Sequence, residues 1–180
     1  MTAREASRSR RVVRGAIVLN GGAAILGWAL FLILLVMMAG PAAAPESAAE
    51  RLVVAVRLLV WPSALLLMMV AGVAMARVGT RAFNPIDDEE SRTYRIRQRV
   101  LSNSVEQTAI FVPAFLGLAV ALPPSHVGIL SLAIGFFAVG RALFWIGYER
   151  HPYFRAPGMS VTFNVNAGMV LYLLYALIAG

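Results

Sequence analysis

A row of polar side chains runs into an apolar stretch of this sequence. Its members are three or four residues apart, so they share one face if the segment is helical. They are Arg92, Arg95, Arg99, Asn103 and Glu106. An arginine fork binds carboxylates, an amide donates and accepts hydrogen bonds, and a carboxylate binds ammonium groups. The last three members therefore form a candidate receptor for a zwitterionic, peptide-like molecule.

Each of these residues also has a structural interpretation. Arg95 and Arg99 would anchor a helix to lipid phosphates, and Asn103 would make a hydrogen bond between helices. Glu106 would form a buried ion pair with Arg141, which also falls within an apolar segment. The combination on one face favours a ligand site, because ionisable groups in membrane helices are costly and usually serve a function.

A second group of residues with suitable chemistry lies later in the chain. Arg141, Phe144 and Tyr148 follow one another at three- and four-residue steps, so they share a helix face, and Arg155 comes soon after. The aromatic residues also fit an interfacial belt, and we assign Trp145 to such a belt. The first group and this one are expected at the same end of their helices.

The composition predicts that membrane helices position both groups. Hydrophobic residues make up 59% of the chain and charged residues only 14%, unlike a soluble domain. We predict an all-α integral membrane bundle with five transmembrane helices. Their approximate ranges are 15–40, 52–76, 100–122, 127–148 and 160–179. The first apolar run is longer than the roughly 7–15 residues of a signal-peptide core, so we expect a retained helix.

The chain divides into three predicted regions. Residues 1–14 are a basic cytoplasmic leader, 15–40 an additional N-terminal helix, and 52–180 a four-helix membrane domain. Arginines are concentrated before the first helix and around the second and fourth connections, which predicts a cytoplasmic N-terminus. The net charge of +7 is explained by this topology, so no nucleic-acid partner is expected. The lysine-free composition fits a GC-rich genome, and we expect a multi-pass protein of the bacterial inner membrane.

Several local signals complete the prediction. The acidic run 87–90 precedes a helix that begins in the cytosol, and Arg97 lies on the opposite side of that helix from Glu106. Ser125 is expected to cap the fourth helix, and Pro62 and Pro113 are expected to kink their helices. The chain has no cysteine, and its two histidines are far apart, so no metal site is expected.

The two groups of residues together resemble a known family, the MAPEG superfamily of membrane-associated proteins in eicosanoid and glutathione metabolism. The resemblance covers about residues 52–179 and leaves the first helix as an addition. The matching residues are Arg99-x-x-x-Asn103-x-x-Glu106 and Arg141-x-x-Phe144-x-x-x-Tyr148, followed by Arg155. This chain departs from the family at Phe144, where several members carry tyrosine, and at Gln107, where some carry an aromatic residue.

The resemblance implies a homotrimer that binds glutathione, or another low-molecular-weight thiol, between neighbouring subunits. Arg155 matches the arginine that stabilises the thiolate, so it is the predicted catalytic residue. The predicted ligand-binding residues are Arg77, Arg99, Asn103, Glu106, Arg141 and Tyr148. A free thiol has a pKa of about 8.5, and a nearby guanidinium favours its nucleophilic anion.

The predicted function is therefore a membrane-embedded thiol transferase or peroxidase that acts on lipophilic electrophiles from the bilayer. Membrane lipids are expected partners. One alternative is a non-catalytic lipid-binding or scaffold protein on the same fold. Another is a small transporter or assembly subunit that uses Glu106 and Arg141 as a membrane ion pair.

Overall fold

The computed structural model describes residues 47–80 and 89–179, together with isolated positions between residues 14 and 33. The two long ranges form helices and turns and contain no strand. Their α-helices are α1 (Ala48–Leu58), α2 (Val60–Thr80), α3 (Arg92–Ala121), α4 (Gly128–Arg150) and α5 (Ala156–Ala179). The predicted leader 1–14 and additional helix 15–40 lie for the most part outside the described residues.

Four stretches of the described chain are long and apolar enough to cross a membrane. They are Ala48–Gly79, Arg92–Ala121, Pro124–Arg150 and Pro152–Ala179. Their lengths of 32, 30, 27 and 28 residues all exceed the roughly 20 residues that a spanning helix needs. The prediction of an all-α, multi-pass membrane bundle is confirmed for these four spans, which follow the extra N-terminal segment.

The helix ends follow local sequence signals. Ser47 and Glu50 form a reciprocal capping box at the start of α1, and the side chain of Ser91 accepts a hydrogen bond from the backbone N–H of Tyr94 at the start of α3. A brief interruption at Leu59 separates α1 from α2, shortly before Pro62, whose ring nitrogen has no hydrogen to donate.

One of two local expectations is tested. Pro113 lies inside α3, which is continuous from Arg92 to Ala121, and the kink expected there stays a prediction. The prediction that Ser125 caps the fourth helix is wrong, because Pro124–His126 forms a 3-10 turn and the side chain of Ser125 instead contacts Nδ1 of His126 at 2.9 Å. Helix α4 then begins at Gly128 with no side-chain cap.

The bundle packs around two main apolar clusters. The larger joins α3, α4 and α5, where the ring of Phe111 lies 5.1 Å from that of Phe115 and 4.1 Å from that of Phe137. The smaller cluster consists of Met69, Val100, Phe144 and Tyr148, with the last two on α4. This second cluster supports the end of the bundle where the predicted site residues lie.

Three glycines allow α4 to approach α5 and the 3-10 turn Pro152–Arg155 that joins them. A Cβ atom on Gly158 would lie 2.5 Å from the carbonyl oxygen of Gly140. A Cβ on Gly147 would lie 2.7 Å from the carbonyl carbon of Phe154. Larger side chains would force these segments apart, so the glycines fix the turn that carries Arg155.

Candidate functional site

The predicted site residues converge at one end of the bundle. Helix α3 begins there, α4 ends there, and the turn Pro152–Arg155 returns the chain into α5. Because the helices run alternately up and down, residues distant in sequence meet at this end. Arg141 of α4 contacts both Asn103 of α3 and Thr162 of α5 directly.

Arg141 is the buried centre of this arrangement, with only 1% of its surface exposed. Its Nη1 donates to Oδ1 of Asn103 at 2.9 Å, and its Nη2 donates to Oγ1 of Thr162 at 2.5 Å. The guanidinium carbon also lies 4.5 Å from the ring centre of Phe144. The side chain therefore joins three helices and does not reach an exposed surface.

Asn103 connects the buried arginine to the exposed face of α3. Its Nδ2 donates to Oε2 of Glu106 at 3.4 Å, while its Oδ1 accepts from Arg141. Within residues 47–79 and 89–179, Arg141 forms no ion pair with Glu106. The alternative of a direct buried Glu106–Arg141 pair is therefore wrong, because the shorter Asn103 side chain lies between them in the hydrogen-bond chain.

Arg155 and Tyr148 form the other half of the site. Nη1 of Arg155 donates to Oη of Tyr148 at 3.0 Å, and the guanidinium carbon lies 5.0 Å from the ring centre. Tyr148 is buried and packs edge-on against Phe144, with 5.8 Å between ring centres. Arg155 itself is exposed. One guanidinium N–H is used by the tyrosine, and others remain for a ligand.

These contacts join the two predicted groups into one continuous series. It runs from Glu106 through Asn103 and Arg141 to Phe144, and then through Tyr148 to Arg155. The sequence predicted the group on α3 and the group that begins at Arg141. It did not predict the hydrogen bond between Arg141 and Asn103 that joins them, because these two residues are on different helices.

The other two predicted arginines are placed differently. Arg99 is exposed on α3 beside this series and makes no hydrogen bond within residues 47–79 and 89–179. Arg77, on α2, donates to Oη of Tyr94 at 2.5 Å and stacks over that ring. Tyr94 is five residues before Arg99, which puts it on a different side of α3. Its contact with Tyr94 therefore places Arg77 on a different side of α3 from the series between Glu106 and Arg155.

The sequence interpretation did not identify the polar contacts of Arg97 and Glu149, which help to hold this end together. Nε of Arg97 pairs with Oε1 of Glu149 at 3.1 Å, and Nη1 donates to the carbonyl oxygen of Gly72 at 2.9 Å. Trp145 donates to the same carboxylate oxygen at 3.1 Å. Arg97 thus connects α2, α3 and α4. The only sequence signal was its position opposite Glu106, which indicated a separate role without naming the partner.

A buried polar contact between Asn166 and Gln107 lies deeper in the bundle. Nδ2 of Asn166 donates to both the backbone oxygen and Oε1 of Gln107, each at 3.0 Å. Both side chains are buried, so they fix α5 against α3. This gives Gln107 a structural role in the packing of α5 against α3. Within the two long described ranges, no group of three or more metal-ligating side chains is close enough to hold a metal ion.

Comparison with known proteins gives one family match. Residues 52–175 match the MAPEG family, which covers all four membrane-capable helices nearly to the end of α5. A comparison with curated proteins gave no match. The matched region contains the whole series of contacts from Glu106 to Arg155. This chain therefore belongs to the MAPEG family, whose members are membrane proteins of glutathione and eicosanoid metabolism.

Proposed function

We propose that this protein is a membrane-embedded transferase or peroxidase that uses glutathione, or a similar low-molecular-weight thiol, against lipophilic electrophiles. The observation that carries the proposal is the continuous series of contacts from Glu106 to Arg155. It joins groups suited to a peptide backbone with a guanidinium suited to a thiolate. Family membership supports the same class of chemistry.

Three residues of α3 bind the peptide portion of the thiol in this proposal. Arg99 is exposed and available for a carboxylate, and the exposed carboxylate of Glu106 is available for an ammonium group. Asn103 retains one N–H and one lone pair after its contacts with Glu106 and Arg141. Arg141 acts through Asn103, because its own side chain is buried. It is therefore a positioning residue in the proposal and not a ligand contact.

Arg155 is the proposed catalytic residue. Its free N–H groups and positive charge favour the thiolate, while Tyr148 holds the guanidinium by a hydrogen bond and a stacked ring. In transfer, the sulfur forms a bond to an electrophilic carbon, the leaving group departs with its electrons, and the thiol proton goes to solvent. In the peroxidase reaction, two thiols are oxidised to a disulfide while a peroxide is reduced to an alcohol and water.

A homotrimer would cover the polar face of α3. Arg99 and Glu106 are both exposed in a single subunit, although they lie on a membrane-capable helix, and charged groups are costly against lipid. A neighbouring subunit would shield them and would complete the thiol site between subunits. Arg77 would then contribute only across that interface, since it lies on another side of its own subunit.

The orientation and location remain part of the proposal. The site end carries arginines in the first turns of α3 (Arg92, Arg95, Arg97, Arg99) and at the α4–α5 junction (Arg150, Arg155), with Arg141 deeper in α4, whereas Arg51 and Arg57 lie at the opposite end. The positive-inside rule places the site end and the N-terminus in the cytoplasm. A bacterial inner membrane is the proposed location.

The test is a thermal-shift screen of detergent-purified protein against glutathione and several other low-molecular-weight thiols. A specific thiol should raise the melting temperature of wild-type protein, and this shift should shrink in Arg99→Ala. Arg92→Ala is the matched control, since Arg92 is also exposed on α3 but lies about 10 Å further along the helix. Turnover of a generic aryl halide should then require the thiol. Lipid binding without thiol turnover would instead favour the non-catalytic scaffold.

A further inference from the structure

A cavity of about 200 Å³ lies between α3, α4 and α5, away from the thiol site. Its described walls are formed mainly by carbon atoms, and Leu118, Ile129, Phe136 and Val161 are representative of them. Two of the residues that line the cavity have polar side chains, Asn164 and Tyr172. It is distinct from the series of contacts that ends at Arg155, because none of those residues lines it.

The depth of the cavity separates it from the thiol chemistry. Asn164 lies eight residues into α5, which is about 12 Å from the start of that helix, and Tyr172 lies about 12 Å further along. Leu122 and Ile129 place the far part of the cavity near the α3–α4 connection, at the opposite end of the bundle from Arg155. A group hydrogen-bonded to Asn164 would therefore lie about 12 Å along α5 from the turn that carries Arg155.

Asn164 is the feature that suggests a ligand. Across residues 47–79 and 89–179, its side-chain amide has no hydrogen-bond partner. A polar group without a partner is costly at membrane depth, where water is not available to compensate. Asn166, two residues later on another face of α5, shows the contrast, because its amide is used in the contact with Gln107.

Water does not satisfy this site well. A buried water needs two to four polar partners, but Asn164 and Tyr172 are about two helical turns apart and cannot share one molecule.

Gly27 of the N-terminal segment forms one wall of the cavity, and a Cβ on it would lie 3.6 Å from Cγ2 of Val161. Since Gly27 carries no side chain, the space beside Val161 is left open at this wall.

We propose that this cavity binds a neutral lipophilic molecule that carries one carbonyl or hydroxyl group, hydrogen-bonded to Asn164. An amide both donates and accepts, so either group is suitable. The ligand is neutral because the described walls contain no charged side chain, and an ionised group would lose its hydration without a counter-ion. The apolar walls accommodate the alkyl part of the molecule.

The test uses 2-undecanone labelled with ¹³C at the carbonyl, and undecane as the matched alkane. Infrared spectra of purified wild-type protein should show a saturable carbonyl band shifted to lower wavenumber, which reports a hydrogen bond. The ketone should bind about tenfold more tightly than the alkane by titration calorimetry. Asn164→Leu should abolish the shifted band and the ketone preference, while alkane binding persists.

Filling the cavity gives an independent check. Ala133 lines the cavity, and Ala133→Leu should remove binding of both probes. Ala64→Leu, the same change at an exposed position on α2, should leave both unchanged. If Asn164→Leu does not fold, Asn164→Ala replaces it, with melting curves as the check. A shifted band that persists without the asparagine amide, equal affinity for ketone and alkane in wild type, or a co-purified phospholipid that the ketone cannot displace would overturn the proposal.

Discussion

Replacing Gly147 by alanine is predicted to slow the proposed reaction while leaving thiol binding nearly intact. Gly147 lies close to the end of α4, where the turn Pro152–Arg155 packs against the helix. A Cβ atom on it would come closest to the carbonyl oxygen of Phe154, and it would lie 2.7 Å from the carbonyl carbon of that residue and 3.2 Å from the backbone nitrogen of Arg155. Real Cβ atoms essentially never approach another atom within 3.0 Å, so the turn must move.

The size of this movement sets the expected effect. Ordinary contact begins at 3.4 Å, so the carbonyl group of Phe154 must retreat by at least about 0.7 Å. Arg155 is the next residue, and its guanidinium would shift from its 3.0 Å contact with Tyr148. A displacement of about 1 Å in a positioning group can reduce a rate about 10²-fold. We therefore expect a 10- to 100-fold lower rate, with nearly unchanged thiol affinity because the binding residues are on α3.

The assay measures thiol affinity by calorimetry, thiolate formation by ultraviolet absorbance, and the single-turnover rate with an aryl halide. Gly135→Ala is the matched control on α4, because a Cβ on Gly135 meets nothing within 4 Å. It should keep the wild-type rate and raise the melting temperature slightly, since alanine favours a helix by up to about 1 kcal/mol over glycine. A folded Gly147→Ala protein with wild-type thiolate absorbance and rate would refute this account of Arg155.

The remaining predictions concern charge contacts and assembly. Calorimetry should show that Arg99→Ala or Glu106→Gln weakens thiol binding about tenfold to a hundredfold, whereas Arg92→Ala leaves the thiol affinity unchanged. Arg155→Ala should retain most binding but lose thiolate absorbance and rate, and Arg155→Lys should recover part of both because it keeps the charge. Arg97→Ala should lower stability by about 1–2 kcal/mol without changing the thiol affinity of folded protein, and equal affinity losses at Arg97 and Arg99 would contradict the assigned roles. Light scattering in mild detergent should show a trimer, and a monomer with full thiol affinity would exclude a site between subunits.

Much of the fold could be predicted because membrane helices have a strong and simple sequence signal. Apolar length identified the four spans found among the described residues, and the helical repeat placed Asn103 and Glu106 on one face, where they form a hydrogen bond. Helix α3 begins at Arg92 after the cap at Ser91, so it begins before its apolar segment, as the spacing of the arginines predicted. Other helix ends were harder to predict. Ser125 has the chemistry of a cap, but the two preceding prolines favour a 3-10 turn there.

Contacts between helices could not be predicted from spacing alone. Arg141 was expected to face either Glu106 or a ligand, but Asn103 and Thr162 lie nearer to its guanidinium. Arg97 was expected only to lie on the opposite side of α3 from Glu106, but its long side chain reaches a carbonyl on α2 and a carboxylate on α4. Both outcomes depend on the relative rotation of packed helices, which the periodicity of one helix does not contain.

The burial of Arg141 changes how the proposed site should be understood. The buried guanidinium donates to neutral acceptors on Asn103 and Thr162 and faces the ring of Phe144, while its Nε has no partner within residues 47–79 and 89–179. This contact also holds the amide of Asn103 in one orientation before any ligand arrives. Arg99, in contrast, is exposed and must lose side-chain freedom worth up to about 2 kcal/mol when it binds. The proposed site therefore combines a preorganised amide, supported from inside the bundle, with a mobile guanidinium at its edge. Specific recognition in this arrangement depends on Asn103 more than its small, uncharged side chain would suggest.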